Sequence, residues 1–115
     1  VWNLTLADFA LKPSRGAAQG LRQTTVSLTR GSQVIATLLK TVTPTRTGAL
    51  ITYRVSGLAG QRLRLNDPLP EGSELVSGQN TATFTLDGEW TAQIEVRGTL
   101  KPEAMTTDPT LEVLP

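Results

Sequence analysis

Apolar and polar residues alternate along most of this chain. The pattern is clear in Leu4-Thr5-Leu6-Ala7, Val26-Ser27-Leu28, Val34-Ile35-Ala36-Thr37-Leu38, Ile51-Thr52-Tyr53-Arg54-Val55 and Trp90-Thr91-Ala92-Gln93-Ile94-Glu95-Val96. A period of two is the mark of strands with one buried face. Threonine fills most outward positions, and its β-branched side chain suits a pleated surface. No stretch shows convincing 3.6-residue periodicity. Glycine or proline interrupts roughly every 8–12 residues, the spacing of a sandwich or barrel. The expectation is an all-β fold of about eight or nine mostly antiparallel strands in a single domain spanning residues 1–115.

Taken in order, a first strand is expected over about 2–11. Trp2, Leu4 and Leu6 share one parity and Phe9 and Leu11 the other, which a bulge near Ala7-Asp8 would reconcile. Residues 12–20 (Lys-Pro-Ser-Arg-Gly-Ala-Ala-Gln-Gly) read as a flexible loop that leaves the first strand loosely tethered. Strands at about 22–30 and 33–42 form a hairpin around Arg30-Gly31-Ser32, with Leu28 opposite Val34 and Val26 opposite Ala36. Residues 43–48 are a loop into the next strand. Leu86-Asp87-Gly88, with Gly88 left-handed, is expected to turn a hairpin that pairs Phe84 with Trp90 and Ala82 with Ala92. The tighter Asp87-Gly88 turn would put those apolar residues on opposite faces. Burying a large side chain is worth roughly 1.5–3 kcal/mol, more than turn types usually differ by.

Composition narrows the functions open to such a fold. At 115 residues the chain buries about two-thirds of its unfolded surface. With 11 Lys+Arg against 10 Asp+Glu, the net charge of +1 argues against a general nucleic-acid or membrane-surface binder. Cysteine and histidine are both absent, which removes disulfides, zinc-thiolate sites, thiol nucleophiles and the commonest general base. No apolar run approaches the ~18 residues of a membrane helix. The opening Val1-Trp2, without a methionine, points to processing or excision from something longer.

One stretch carries a family resemblance. Ile51-Thr52-Tyr53-Arg54-Val55, then Leu65-Asn66-Asp67-Pro68-Leu69-Pro70-Glu71-Gly72, then Leu75-Val76-Ser77-Gly78, with the lead-in Lys40-Thr41-Val42-Thr43-Pro44, resembles the "domain of unknown function eleven" family. These are repeat modules of prokaryotic surface proteins. The resemblance covers about 40–78. It implies an immunoglobulin-like β-sandwich, a secreted bacterial protein in an extracellular or cell-envelope location, and no catalysis. In physical terms, Asp67-Pro68-Leu69-Pro70 is a corner. Its prolines end the strand, Asp67 bonds nearby backbone amides, and Leu69 plugs the end of the sandwich.

Candidate chemistry is sparse. Asp67, Glu71, Asp87 and Glu89 could supply an acid–base pair or a calcium site, but no spacing brings two onto one element and no Asp-x-Asp-x-Asp-Gly run exists. Lys12 and Ser14 lie in a loop too loose to hold a nucleophile and its base. Tyr53, Phe84 and Trp90 stand at inward parity and read as core, whereas Trp2 is the aromatic most open to a partner. The sharper candidate is Arg54, Arg62 and Arg64. Pairing Val55 with Leu63 and Tyr53 with Leu65 would set Arg54 against Arg64, a repulsive pair unless an anion lies between. Either Glu74 or Glu95 from a neighbouring strand answers it, or an acidic partner or anionic polysaccharide does. Two functions follow. One is a non-catalytic structural or interaction module acting through sheet faces or edge-strand pairing, with another envelope protein or copies of itself as partner. The other is a carbohydrate-binding or adhesin module using the arginine face or an exposed aromatic. Neither calls for a cofactor or a metal.

Overall fold

A computed structural model of the protein describes residues 9–18, 21–98 and 107–115. Nine strands follow one another in it: β1 (Phe9–Ala18), β2 (Leu21–Arg30), β3 (Gln33–Pro44), β4 (Gly48–Gly57), β5 (Arg62–Asn66), β6 (Glu74–Ser77), β7 (Thr81–Thr85), β8 (Glu89–Arg97) and β9 (Thr110–Val113). They form two antiparallel sheets, one ordered β1-β2-β3-β4-β8-β6 and the other β7-β5-β9. The all-β sandwich expected from the alternation is what the structure shows. Among the described residues no helix is long and apolar enough to cross a membrane.

Register explains the core. Across the larger sheet, Val26, Leu38, Val55 and Trp90 stand in one row, and Thr24, Lys40, Tyr53 and Ala92 in the next. Beyond them come Val42, Ile51 and Ile94, then Ala49, Val96 and Leu75. Because successive side chains alternate, every member of these rows points to the same face. The smaller sheet answers with Leu63, Leu65 and Leu111, all buried, flanked by Phe84 and Val113. The two faces close over each other, and Leu69 packs against the core as expected of the corner residue.

Four expectations need correction. Residues 12–18 are not a loop. They continue β1, which pairs with β2 from Phe9↔Arg30 to Ala18↔Leu21. Pro13 misled the reading, yet an edge strand tolerates proline because its missing N–H can face away from the ladder. The stretch 1–8, including Trp2 and the bulge near Ala7-Asp8, lies outside the described residues, as do residues 19–20.

The β2–β3 hairpin turns in two residues, and its register shifts between Leu28 and Thr29. Leu28 therefore faces Ala36 and Val26 faces Leu38. The extra residue lets neighbouring Ile35 and Ala36 both be buried, at 5% and 0% exposure, while Val34 is left in solvent.

The remaining two corrections share a cause. β4 and β5 do not form a hairpin, and neither do β7 and β8. In each case the chain crosses from one sheet to the other. Alternation says which residues point inward but not which sheet carries them, since both sheets face the same core. Gly88 is left-handed at φ 83° as expected, and Leu86 is fully buried beside it. Phe84 and Trp90 do meet, but across the core from opposite sheets. Their rings are stacked with centroids 4.0 Å apart.

Candidate functional site: a sealed ionic cluster

The inward row that contains Tyr53 also contains a charge. Lys40 sits between Leu38 and Val42 on β3, at core parity, with no exposure. A buried ammonium must find partners for all three N–H groups. Nζ lies 2.7 Å from Asp67 Oδ2 and donates to Thr107 O at 2.9 Å and Thr107 Oγ1 at 3.0 Å. Asp67, equally buried, takes hydrogen bonds from the Tyr53 hydroxyl at Oδ2 and from Thr107 Oγ1 at Oδ1, the latter 2.8 Å. Three side chains, from β3, β4 and the approach to β9, thus converge on one carboxylate at the end of β5.

Local structure fixes that carboxylate. Asp67 N donates to Asn80 O at 2.8 Å, and Asn80 Nδ2 donates back to Asp67 O at 2.9 Å. Pro68 then bars continuation of the strand. The expectation that the Asp67 side chain would bond backbone amides is corrected here. Its backbone is held by Asn80, which frees the carboxylate to turn inward onto Lys40. Within the same row, Thr24 Oγ1 is buried without a hydrogen-bond partner among the described residues.

Burial drives the electrostatics. It pushes the Lys40 ammonium below its usual 10.5, against the pull of Asp67's charge and hydrogen bond and the smaller pull of Asp108's charge. It also holds the Tyr53 phenol well above its usual 10.0, and here Asp67's charge and hydrogen bond add to burial. Lys40, Tyr53 and Asp67 are closed to a substrate in solvent, with half-buried Thr107 at their margin. What the arrangement can do is tie the two sheets together and hold an amine against a carboxyl group in a dry place.

The arginines predicted as a face are separated. Arg54 stands on β4 of the larger sheet, and Arg62 and Arg64 on β5 of the smaller one. Arg54 is therefore not opposite Arg64, because the β4–β5 pairing that would have placed it there does not exist. Arg54 bonds Glu89 at 2.8 Å and Arg64 reaches Glu112 at 3.4 Å, so the neighbouring acids are neither Glu74 nor Glu95. Both pairs are exposed, and such pairs contribute little. Arg62 is exposed, and Trp2 lies outside the described residues. Asp87, Glu89 and Glu71 are exposed and apart from Asp67, and among the described residues no group of acids is set to hold a metal ion. Lys12 and Ser14 lie on β1.

Lys40 was the residue to find. It continues the inward parity of Ala36 and Leu38 and precedes Val42, so a lysine at core parity already calls for a buried acid. Thr107 gives no comparable signal, since it precedes β9 outside any alternating run.

The fold and cluster together define a two-sheet antiparallel β-sandwich with a charged, fully enclosed bridge between its sheets. No family model matches the chain, and neither a curated protein nor a solved structure matches it.

Proposed function

We propose that this chain is a non-catalytic structural or protein-interaction module of a bacterial cell-envelope or surface assembly. It works outside the cytoplasm by joining sheet edges with copies of itself or with another envelope protein. The observation that carries this reading is the contrast between the interior and the edges. Lys40 and Asp67 have no exposure, whereas, among the described residues, β1 ends the larger sheet with ten residues paired on one side only. An unpaired strand edge is a template for a further strand. The likeness of residues 40–78 to surface-protein repeat modules supports the immunoglobulin-like class and the location.

Carbohydrate binding through an arginine face loses its basis, because Arg54 and Arg64 lie on different sheets and each has its own glutamate. The test of the edge reading is removal of residues 1–18, followed by sedimentation velocity over a wide concentration range and by thermal unfolding. The full chain is expected to self-associate, and the truncated chain to stay monomeric while still melting cooperatively. A full chain that stays monomeric, or a truncation that unfolds, overturns the self-pairing version.

A further inference from the structure

Lys40 and Asp67 meet as nucleophile and electrophile out of contact with bulk solvent. Both side chains have no exposure, and Nζ stands 2.7 Å from a carboxylate oxygen. We propose that they condense to an intramolecular isopeptide bond, Lys40 Nζ to Asp67 Cγ, that covalently joins β3 of one sheet to the end of β5 in the other. The inference stands on the buried geometry alone and is independent of the edge-pairing reading.

The step balances without a co-reactant. One proton passes from the Lys40 ammonium to the Asp67 carboxylate across their contact, leaving a neutral amine and a carboxylic acid. The amine lone pair attacks Cγ and forms the C–N bond. The tetrahedral carbon then expels one oxygen as water, which takes two of the three protons the ammonium began with. The amide keeps the third.

Four features favour this reaction here. Burial already disfavours the charged amine, so the neutral nucleophile is within reach. The reacting groups are held in contact, and well-oriented intramolecular pairs reach effective molarities of about 10⁵–10⁸ M. The Tyr53 and Thr107 hydroxyls donate to the two carboxyl oxygens, where charge accumulates in the tetrahedral intermediate. Forming a neutral amide also removes two charges from a low-dielectric interior where each is costly, and the released water is better solvated in bulk. The usual competing dehydration is closed to Asp67. Cyclisation to a succinimide needs the N–H of the next residue, and that residue is Pro68.

Intact-mass spectrometry of the folded full chain tests this directly. The expected mass is one water below the sequence value, and tandem fragmentation of a digest is expected to yield a branched peptide joined at Lys40 and Asp67. Asp87-Gly88 is a sequence prone to succinimide formation with the same mass loss. Hydroxylamine opens a succinimide but leaves an isopeptide bond intact, so the deficit is expected to survive it. Lys40→Arg and Asp67→Ala should each retain the full mass. A folded wild-type chain that keeps its full mass after long incubation overturns the proposal. So does a deficit that hydroxylamine abolishes or that persists in Lys40→Arg. The decisive readout is on the wild-type chain, so it does not depend on any variant folding.

Discussion

Asp67→Ala, compared with the double variant Lys40→Met/Asp67→Ala, isolates what the buried ammonium demands of its surroundings. Neither chain can form a Lys40–Asp67 bond, and both carry alanine at 67, so the comparison depends only on the charge. In the single variant, Lys40 keeps Thr107 O and Oγ1 as acceptors but loses the carboxylate 2.7 Å away. Leaving a buried charge without its counter-ion costs about 3–5 kcal/mol, whereas an apolar replacement of the pair is often neutral or stabilising. The double variant should therefore be more stable than the single one by about 3 kcal/mol or more at pH 7. For a chain of 115 residues that difference is roughly 12–20 °C in melting temperature.

The pH profile gives a second, independent readout. With Asp67 gone, the influences that hold Lys40 up are reduced, and burial depresses it further below 10.5. Below the depressed value both folded and unfolded chains are protonated, and the penalty is complete. Between that value and 10.5 the unfolded chain binds more protons than the folded one, so stability rises with pH, by up to about 1.4 kcal/mol per unit. The double variant lacks this slope, and Tyr53 contributes alike to both. Urea unfolding at pH 7, 8 and 9 measures the difference. Two variants of equal stability within about 1 kcal/mol, with parallel profiles, would refute the account of Lys40 as a buried charge.

Two smaller perturbations test neighbouring parts of the argument. Tyr53 is the only tyrosine, and its folded phenol is held above 10.0. Above pH 10 the unfolded chain therefore releases a proton that the folded chain retains, and wild-type stability should fall by up to about 1.4 kcal/mol per unit. Tyr53→Phe should lack this alkaline loss but lose about 0.5–1.5 kcal/mol at pH 7 with its hydrogen bond to the Asp67 side-chain oxygen, both read from urea midpoints. Gly48→Ala would put a Cβ 2.0 Å from the backbone oxygen of Val96, so β4 and β8 must part, at about 1–3 kcal/mol. Gly88→Ala meets nothing within 4 Å and should cost only the roughly 1–2 kcal/mol of a left-handed backbone. A Gly48→Ala midpoint equal to that of the wild type would contradict the tight β4–β8 contact.

How much of this was legible in the sequence depends on the kind of information sought. Parity was legible: Tyr53, Leu63, Leu65 and Ile94 point inward as their alternation requires. Partnership was not, because a hairpin and a sheet-to-sheet crossover bury the same alternate residues. Phe84 and Trp90 illustrate this well, since they touch as expected but as members of different sheets. β1 was misread because Pro13, Gly16 and the paired alanines carry no apolar alternation, and an edge strand bonded to one neighbour needs little of it. The cluster was half legible. Asp67 was marked by its position at a proline-stopped strand end, and the inward parity of Lys40 was there to be read but went unused; nothing local said that one lay over the other.

That juxtaposition gives the ionic cluster its structural meaning. Apolar contacts between two sheets are tolerant of sliding, since one leucine can pack on several neighbours. A carboxylate that must meet Lys40 Nζ, the Tyr53 hydroxyl and Thr107 Oγ1 together is satisfied in one relative position of the sheets only. The buried pair therefore adds little to net stability over an oily equivalent, but it penalises every misaligned packing by an unpaired charge. The crossings from β4 to β5 and from β7 to β8 are places where alternation leaves the fold ambiguous. The Lys40–Asp67 contact resolves the first of them, since it can form only when β5 lies in the sheet facing β3 and β4. If the bond between the two side chains closes, that selected alignment becomes permanent. A module whose edges are pulled by neighbours would then transmit load through one covalent tie instead of through sheet packing alone.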